Sequence, residues 1–297
     1  MTNSSNIGIV LSFLALWIAT YFSVEYQQIT GFVIIFLFGI LHGANDLRLI
    51  SKIKNENSIS NYKKILIYYL TFVTTGVLLF YLLPEWALVI FILVSAYHFG
   101  EQHWNQLSTE KTTPIISLFQ LVYGLFIFAL LFYFHQKEVA VIIGEIIHSP
   151  MNTFNFTYML QFNGLVLIVL SLVMLRKNTI FKNQLPVNLV YLLLFAIIFR
   201  NSNLIWAFAI YFIIWHSLPS IKDQICFLYG QYTFQNFVQY FKAAFGYWFL
   251  SLTGIALLYF LFRKEAVFTA LFFSFLAAIT FPHVLVIMKM QNKIKEH

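Results

Sequence analysis

Charge is scarce in this chain: 10% of its 297 residues are Asp, Glu, Lys or Arg, while 60% are hydrophobic and 20% aromatic. So few charges cannot cover a water-soluble domain of this size, and the composition reads as a polytopic membrane protein. Cysteine is almost absent. The single Cys226 excludes an intramolecular disulfide, a four-cysteine iron–sulfur site and a zinc ribbon. No internal repeat, low-complexity segment or linker divides the sequence, so residues 1–297 are expected to form one integral-membrane domain. HxxxH and HxxHH boxes are missing too, which removes the di-iron desaturases and hydroxylases.

What is present is a series of long apolar runs, at about 7–23, 30–47, 65–82, 87–104, 114–134, 155–175, 185–199, 203–218, 243–262 and 266–288. These predict an all-α transmembrane bundle of about ten spans. The first run has no positive segment before it and no small-residue cleavage site near Tyr26, so it is read as a helix rather than a signal peptide. Residues 139–147 are too short to cross, and 225–240 mix aromatic and polar groups, so both are expected to be interfacial or re-entrant.

The formal charge of +7 does not point to nucleic acid, because Lys and Arg fall in short loops between apolar runs. With the N-terminus placed inside, fourteen of the 18 lie on the cytoplasmic side, the exceptions being Lys137, Arg200, Arg263 and Lys264. That asymmetry predicts a multi-pass protein of the cell membrane with both termini cytoplasmic.

On this topology four histidines share a depth. His42, His216 and His283 each stand six residues before a basic residue (Arg48, Lys222 and Lys289), and His98 stands six before Trp104. All four helices run from outside to cytoplasm, so each imidazole lies about 9 Å inside a helix end at about 1.5 Å per residue. A lone membrane histidine is commonly a helix-to-helix hydrogen-bonding group. Four at one level can instead supply nitrogen ligands to Fe, Zn or Cu between facing helices.

Asp46 follows His42 by four residues and Glu101 follows His98 by three, spacings that place each acid on its histidine's helix face. Each could take the second imidazole N–H and fix the ring, or simply extend to the interface. His103 is turned about 140° from His98 and is expected at the interface beside Trp104. His135, His148 and His297 are expected in solvated loops or the tail. Small residues in "HGA", "HFG" and "WHSLPS" allow close helix approach, and Pro219 is expected to loosen the helix end after His216.

Taken in order, "GILHGANDL" (39–47), "SAYHFGEQ" (95–102), "WHSLPS" (215–220) and "FPHVLVI" (281–287) resemble the histidine motifs of the Brp/Blh family, the integral-membrane β-carotene 15,15'-dioxygenases of rhodopsin-bearing prokaryotes. The resemblance covers nearly the whole chain. It implies a non-haem Fe(2+) enzyme that uses O2 to cut β-carotene at its central double bond into two molecules of retinal, a product of use to a retinal-binding rhodopsin. By motif match His42, His98 and His216 would be metal ligands, with His283 in the C-terminal Pro-His element. The chain departs from the pattern at Ser220, where the family commonly has a second histidine four residues after the first; either His283 completes the site or the chain belongs to a divergent branch with altered chemistry.

The residues suit that chemistry. An all-imidazole site keeps the metal's full charge and leaves open positions on an octahedral iron. The 35 Phe, 17 Tyr and 6 Trp can wall a pocket for a long neutral polyene. Two alternatives remain open at this level, a membrane transporter and a bis-histidine haem protein. Against them stand acids placed near helix ends, and histidines confined to one layer.

Overall fold

The computed structural model describes residues 3–54, 59–108, 113–151, 154–261 and 265–295, which are helical with short connections. Lys111, Arg263, Lys264 and His297 lie outside these residues. Among the described residues eight helices are long and apolar enough to cross a membrane: Val24–Ile53, Asn61–Leu82, Pro114–Phe134, Phe156–Lys177, Thr179–Arg200, Leu204–Tyr229, Phe234–Leu261 and Ala270–Ile294. Asn6–Ala19 is apolar but shorter. Pro84–His103 has 20 residues, but its last turns hold His98, Glu101, Gln102 and His103, which lower its hydropathy. With these two, the bundle approaches the expected ten.

Local chemistry sets the helix ends. The Asn155, Asn178 and Asn203 side chains accept from the backbone N–H of Tyr158, Phe181 and Trp206 and start three successive helices. Because Asn178 caps so early, the expected short span 185–199 extends to Thr179–Arg200, with Pro186 inside it. The span expected at 203–218 also lengthens. Seven residues, Tyr211–Ser217, are π-helical, and Pro219 then sits in the first turn of Leu218–Tyr229, where its missing N–H is tolerated. Proline therefore does not end this span; Gly230 does, at φ +88, the left-handed conformation that glycine accepts without strain. Residues 225–240 are thus the end of one span, a turn and the start of Phe234–Leu261, not a re-entrant segment. Residues 139–147 belong to the 12-residue helix Gln136–Ile147, shorter than a crossing needs.

The chain groups into two compact units, each drawn from several parts of the sequence. The first comprises residues 1–33, 92–140 and 151–216. Its helices meet backbone to backbone: a Cβ on Gly100 would stand 1.8 Å from the Gln120 carbonyl oxygen, and one on Gly124 would stand 1.8 Å from that of Ala96. Trp206 and Trp215 tie the first helix in place, their indole N–H groups donating to the Ala15 carbonyl at 3.3 Å and the Ser12 hydroxyl at 2.9 Å.

The second unit comprises residues 34–91, 141–150 and 217–297. In it the last helix lies along Ile59–Leu82, where Gly76 fits against the Ala278 backbone and Phe281. Leu49 packs with Val286, Ile287 and Met290, and Leu41 with Ile221, Ile225, Tyr240 and Ala244.

Candidate functional site

All six residues singled out in the sequence are buried: His42, His98, His216, His283, Asp46 and Glu101 expose between 1% and 9% of their surface. Within each unit the histidines pair.

In the first unit the rings of His98 and His216 lie edge to face with centroids 4.9 Å apart. His98 is held on a helix brought close to its neighbour by Gly100, two residues on. His216 lies in the π-helical Tyr211–Ser217, a wide turn that recurs at functional sites. Its ring stacks on Phe212 at 5.3 Å and meets Phe99 edge-on at 4.7 Å. Gln102 binds the same histidine twice. Its amide N–H donates to the His216 carbonyl at 3.0 Å, and its Oε1 accepts from the ring Nδ1–H.

In the second unit His42 and His283 are also edge to face, at 4.6 Å. A second π-helical segment, Ile35–Gly39, precedes His42, and the His42 Nδ1–H donates to the Gly39 carbonyl. The helix breaks after Gly43: Asn45 has φ −101 and ψ 10, and a new helix starts at Asp46. The break defeats the i to i+4 reasoning that would join Asp46 to His42. Asp46 instead stands in a first helical turn, where peptide N–H groups favour an anion, and accepts from His283 Nδ1 at 2.9 Å. Its other oxygen accepts from the Tyr69 hydroxyl at 2.9 Å. Gly43 lies beside the His283 ring, whose Nδ1 would be in ordinary contact, at 3.7 Å, with a Cβ there.

A buried amide network supports the His42 backbone. Gln224 donates to the His42 carbonyl at 2.8 Å and to the Ser220 hydroxyl at 3.1 Å, while its Oε1 accepts from Tyr240 at 2.8 Å. The Asn45 amide donates to the Tyr240 carbonyl at 3.0 Å. Ser220, where the resembled family commonly has histidine, therefore spends its hydroxyl on a glutamine that holds His42.

Carbonyl, amide and carboxylate oxygens can only accept from a ring nitrogen, so the Nδ1 of His42, His216 and His283 carries the proton in the neutral tautomer. The lone pair is then on Nε2. Fixing one nitrogen so that the other can ligate is the usual arrangement around metal-bound imidazoles. His42, His216 and His283 are buried and each offers a ring nitrogen of the kind that holds a metal ion. Buried imidazole nitrogens of this kind suit a transition metal.

The other histidines divide differently from expectation. His103 packs among Tyr123, Phe195 and Tyr211, with ring centroids at 5.6 to 6.0 Å, and Trp104 beside it is 1% exposed, so neither anchors an interface. His135 is buried at 9% exposure with Glu138 3.9 Å away, not solvated, whereas His148 is exposed. Sequence reasoning missed Gln102, Tyr69, Gln224 and Tyr240. Only Gln102 carried a signal, its four-residue spacing from His98, yet its contact is with a histidine more than a hundred residues away.

The family model described as beta-carotene 15,15'-dioxygenase matches residues 33–291. The chain is also similar to a protein named beta-carotene 15,15'-dioxygenase from uncultured marine bacterium 66A03, at 35% identity over 79 residues. That match spans 26% of this chain and 29% of the relative. No solved structure matches the chain. The family match takes in His42, His98, His216, His283, Asp46 and Gln102, and on it the chain belongs to the beta-carotene 15,15'-dioxygenase family.

Proposed function

We propose that this chain cleaves β-carotene with O2 at the central 15,15' double bond, giving two molecules of retinal, and that His42, His98, His216 and His283 together hold Fe(2+). The observation that carries the reading is the shared tautomer: three buried histidines within the family match use Nδ1 on protein acceptors, the tautomer in which the ligating lone pair is on Nε2.

In this reaction one carbon–carbon double bond breaks and each half takes one oxygen atom of O2 as an aldehyde, so no proton or outside reductant enters the balance. Bound Fe(2+) would supply the electron density that makes O2 reactive. The chain's own residues do the rest. Asp46, the carboxylate on His283, would offset one positive charge of a bound Fe(2+), while Gln102 and the Gly39 carbonyl would add none. Phe99 and Phe212 flank His216 with flat apolar rings suited to a conjugated hydrocarbon, and they keep water from its surroundings.

The haem alternative fits poorly. Two axial imidazoles with metal–nitrogen bonds of about 2 Å hold their ring centroids roughly 6 Å apart across a porphyrin, whereas each pair here is in ring contact at 4.6 or 4.9 Å. The same proposal places the whole chain in the lipid bilayer of the cell membrane as one catalytic domain with cytoplasmic termini, releasing retinal for a rhodopsin. Expression in cells that accumulate β-carotene tests the reading: loss of colour with retinal formation is expected, and an unchanged carotenoid pool at normal protein levels would overturn it.

A further inference from the structure

Gln102 contacts a candidate ligand at two points, and neither contact is explained by packing alone. We propose that Gln102 is the positioning residue that fixes the tautomer and orientation of His216 for metal binding. The inference rests on the metal-centre reading above.

His216 lies in a π-helical turn, whose hydrogen-bond register departs from that of a regular helix, just before the helix start that holds Pro219. Gln102 adds an outside bond to the His216 carbonyl at 3.0 Å. That same bond orients the amide: with the NH2 on the carbonyl, Oε1 must face the ring, and it accepts from Nδ1–H. Two bonds from one planar group to one residue lock ring and main chain together. A carboxylate could supply only the acceptor, and a thioether neither bond. Phe212 stacked on the ring and Phe99 at its edge limit tilting but do not choose which nitrogen carries the proton. Gln102 makes that choice through its Oε1.

The location is equally telling. Gln102 is four residues from His98 on one helix, and His98 and His216 are in ring contact at 4.9 Å. A single helix therefore presents one candidate ligand and the group that orients the next. Removing partners of this kind costs about 10- to 100-fold in metal affinity.

The test uses the full-length protein in detergent or nanodiscs, with Co2+ as the probe. Binding and the visible ligand-field spectrum are followed in Gln102→Met, which keeps length without either bond, and in Gln102→Glu, which keeps the ring acceptor. The expected result is a loss of about 10- to 100-fold in Co2+ affinity with an altered spectrum for Gln102→Met, and near-normal affinity for Gln102→Glu. Histidine 15N shifts of the metal-free proteins should place the His216 proton on Nδ1 in the parent and in Gln102→Glu, and on a mixture of nitrogens in Gln102→Met. Parental affinity and spectrum in Gln102→Met would overturn the proposal. So would equal losses in both variants, which would assign the effect to the carbonyl bond and hence to the backbone. A parent that binds no Co2+ would also overturn it. A parent that binds Co2+ tightly yet never cleaves carotene when loaded with iron would sink the proposed reaction and leave the role of Gln102 standing.

Discussion

Replacing Gly100 with Ala should damage the centre without touching any candidate ligand. The new Cβ would fall 1.8 Å from the Gln120 carbonyl oxygen and 2.6 Å from its carbon, and both are rigid backbone atoms. Restoring an ordinary carbon–oxygen contact requires the two helices to part by about 1.5 Å at their crossing. His98 is two residues before the crossing and Gln102 two after it, so both would move by a similar amount. A misplacement of about 1 Å can cost about 100-fold in rate, and overpacking of this kind destabilises by about 1–3 kcal/mol. Gly124→Ala should behave alike, since its Cβ would stand 1.8 Å from the Ala96 oxygen. Gly246→Ala and Gly254→Ala serve as controls: a Cβ at either meets nothing within 4 Å, so neither should lose activity or stability. The assay is retinal formation per unit of monodisperse protein, with thermal unfolding followed in parallel. Parental rate and unfolding temperature in Gly100→Ala would refute the idea that backbone contact at this crossing sets the position of His98.

Asp46→Ala leaves the buried His283 N–H and Tyr69 hydroxyl without their acceptor; we expect a destabilisation of about 1–3 kcal/mol and a loss of metal of about 10- to 100-fold, while Asp46→Asn, which can still accept from His283, should lose less metal on titration. His283→Ala should cost as much metal as His42→Ala, measured by elemental analysis, whereas Ser220→Ala removes only one of the contacts of Gln224 and should cost about 1 kcal/mol or less. Full iron content in His283→Ala would reduce the Pro282–His283 element to helix packing. His103→Ala should keep most carotene cleavage, because its ring packs with Tyr123, Phe195 and Tyr211 rather than with either histidine pair; loss equal to that of His98→Ala would contradict this. For the topology, a cysteine introduced at Lys177 should react with reagents added from the cytoplasmic side, and labelling from the outside alone would invert the proposed orientation.

The sequence made the histidines legible because burial of a polar group in an apolar run is visible from composition alone, and equal distance from the helix ends singled out His42, His98, His216 and His283. Their partners were not legible, for physical reasons. Predicting that Asp46 serves His42 assumed an unbroken helix, and the break at Asn45 gave the carboxylate to His283. The π-helical turns before His42 and around His216 have no compositional signature, since they change hydrogen-bond register and not residue type. The contacts of Gln102 with His216 and of Tyr69 with Asp46 are set by how helices pack, which period and spacing do not encode. Span limits failed for the same kind of reason: Pro219 looks like a helix end, yet it falls in the first turn of Leu218–Tyr229, after a π turn.

His42, His98, His216 and His283 are proposed to hold the metal of an enzyme that splits a carotenoid at its midpoint. Purified protein reconstituted with Fe(2+) and supplied with β-carotene and O2 tests it most directly, with products counted by chromatography. Two molecules of retinal for each β-carotene consumed, at a rate proportional to bound iron and abolished in His42→Ala, is the predicted result. Protein that carries its full iron and leaves β-carotene intact, or that yields two aldehydes of unequal length, would contradict it.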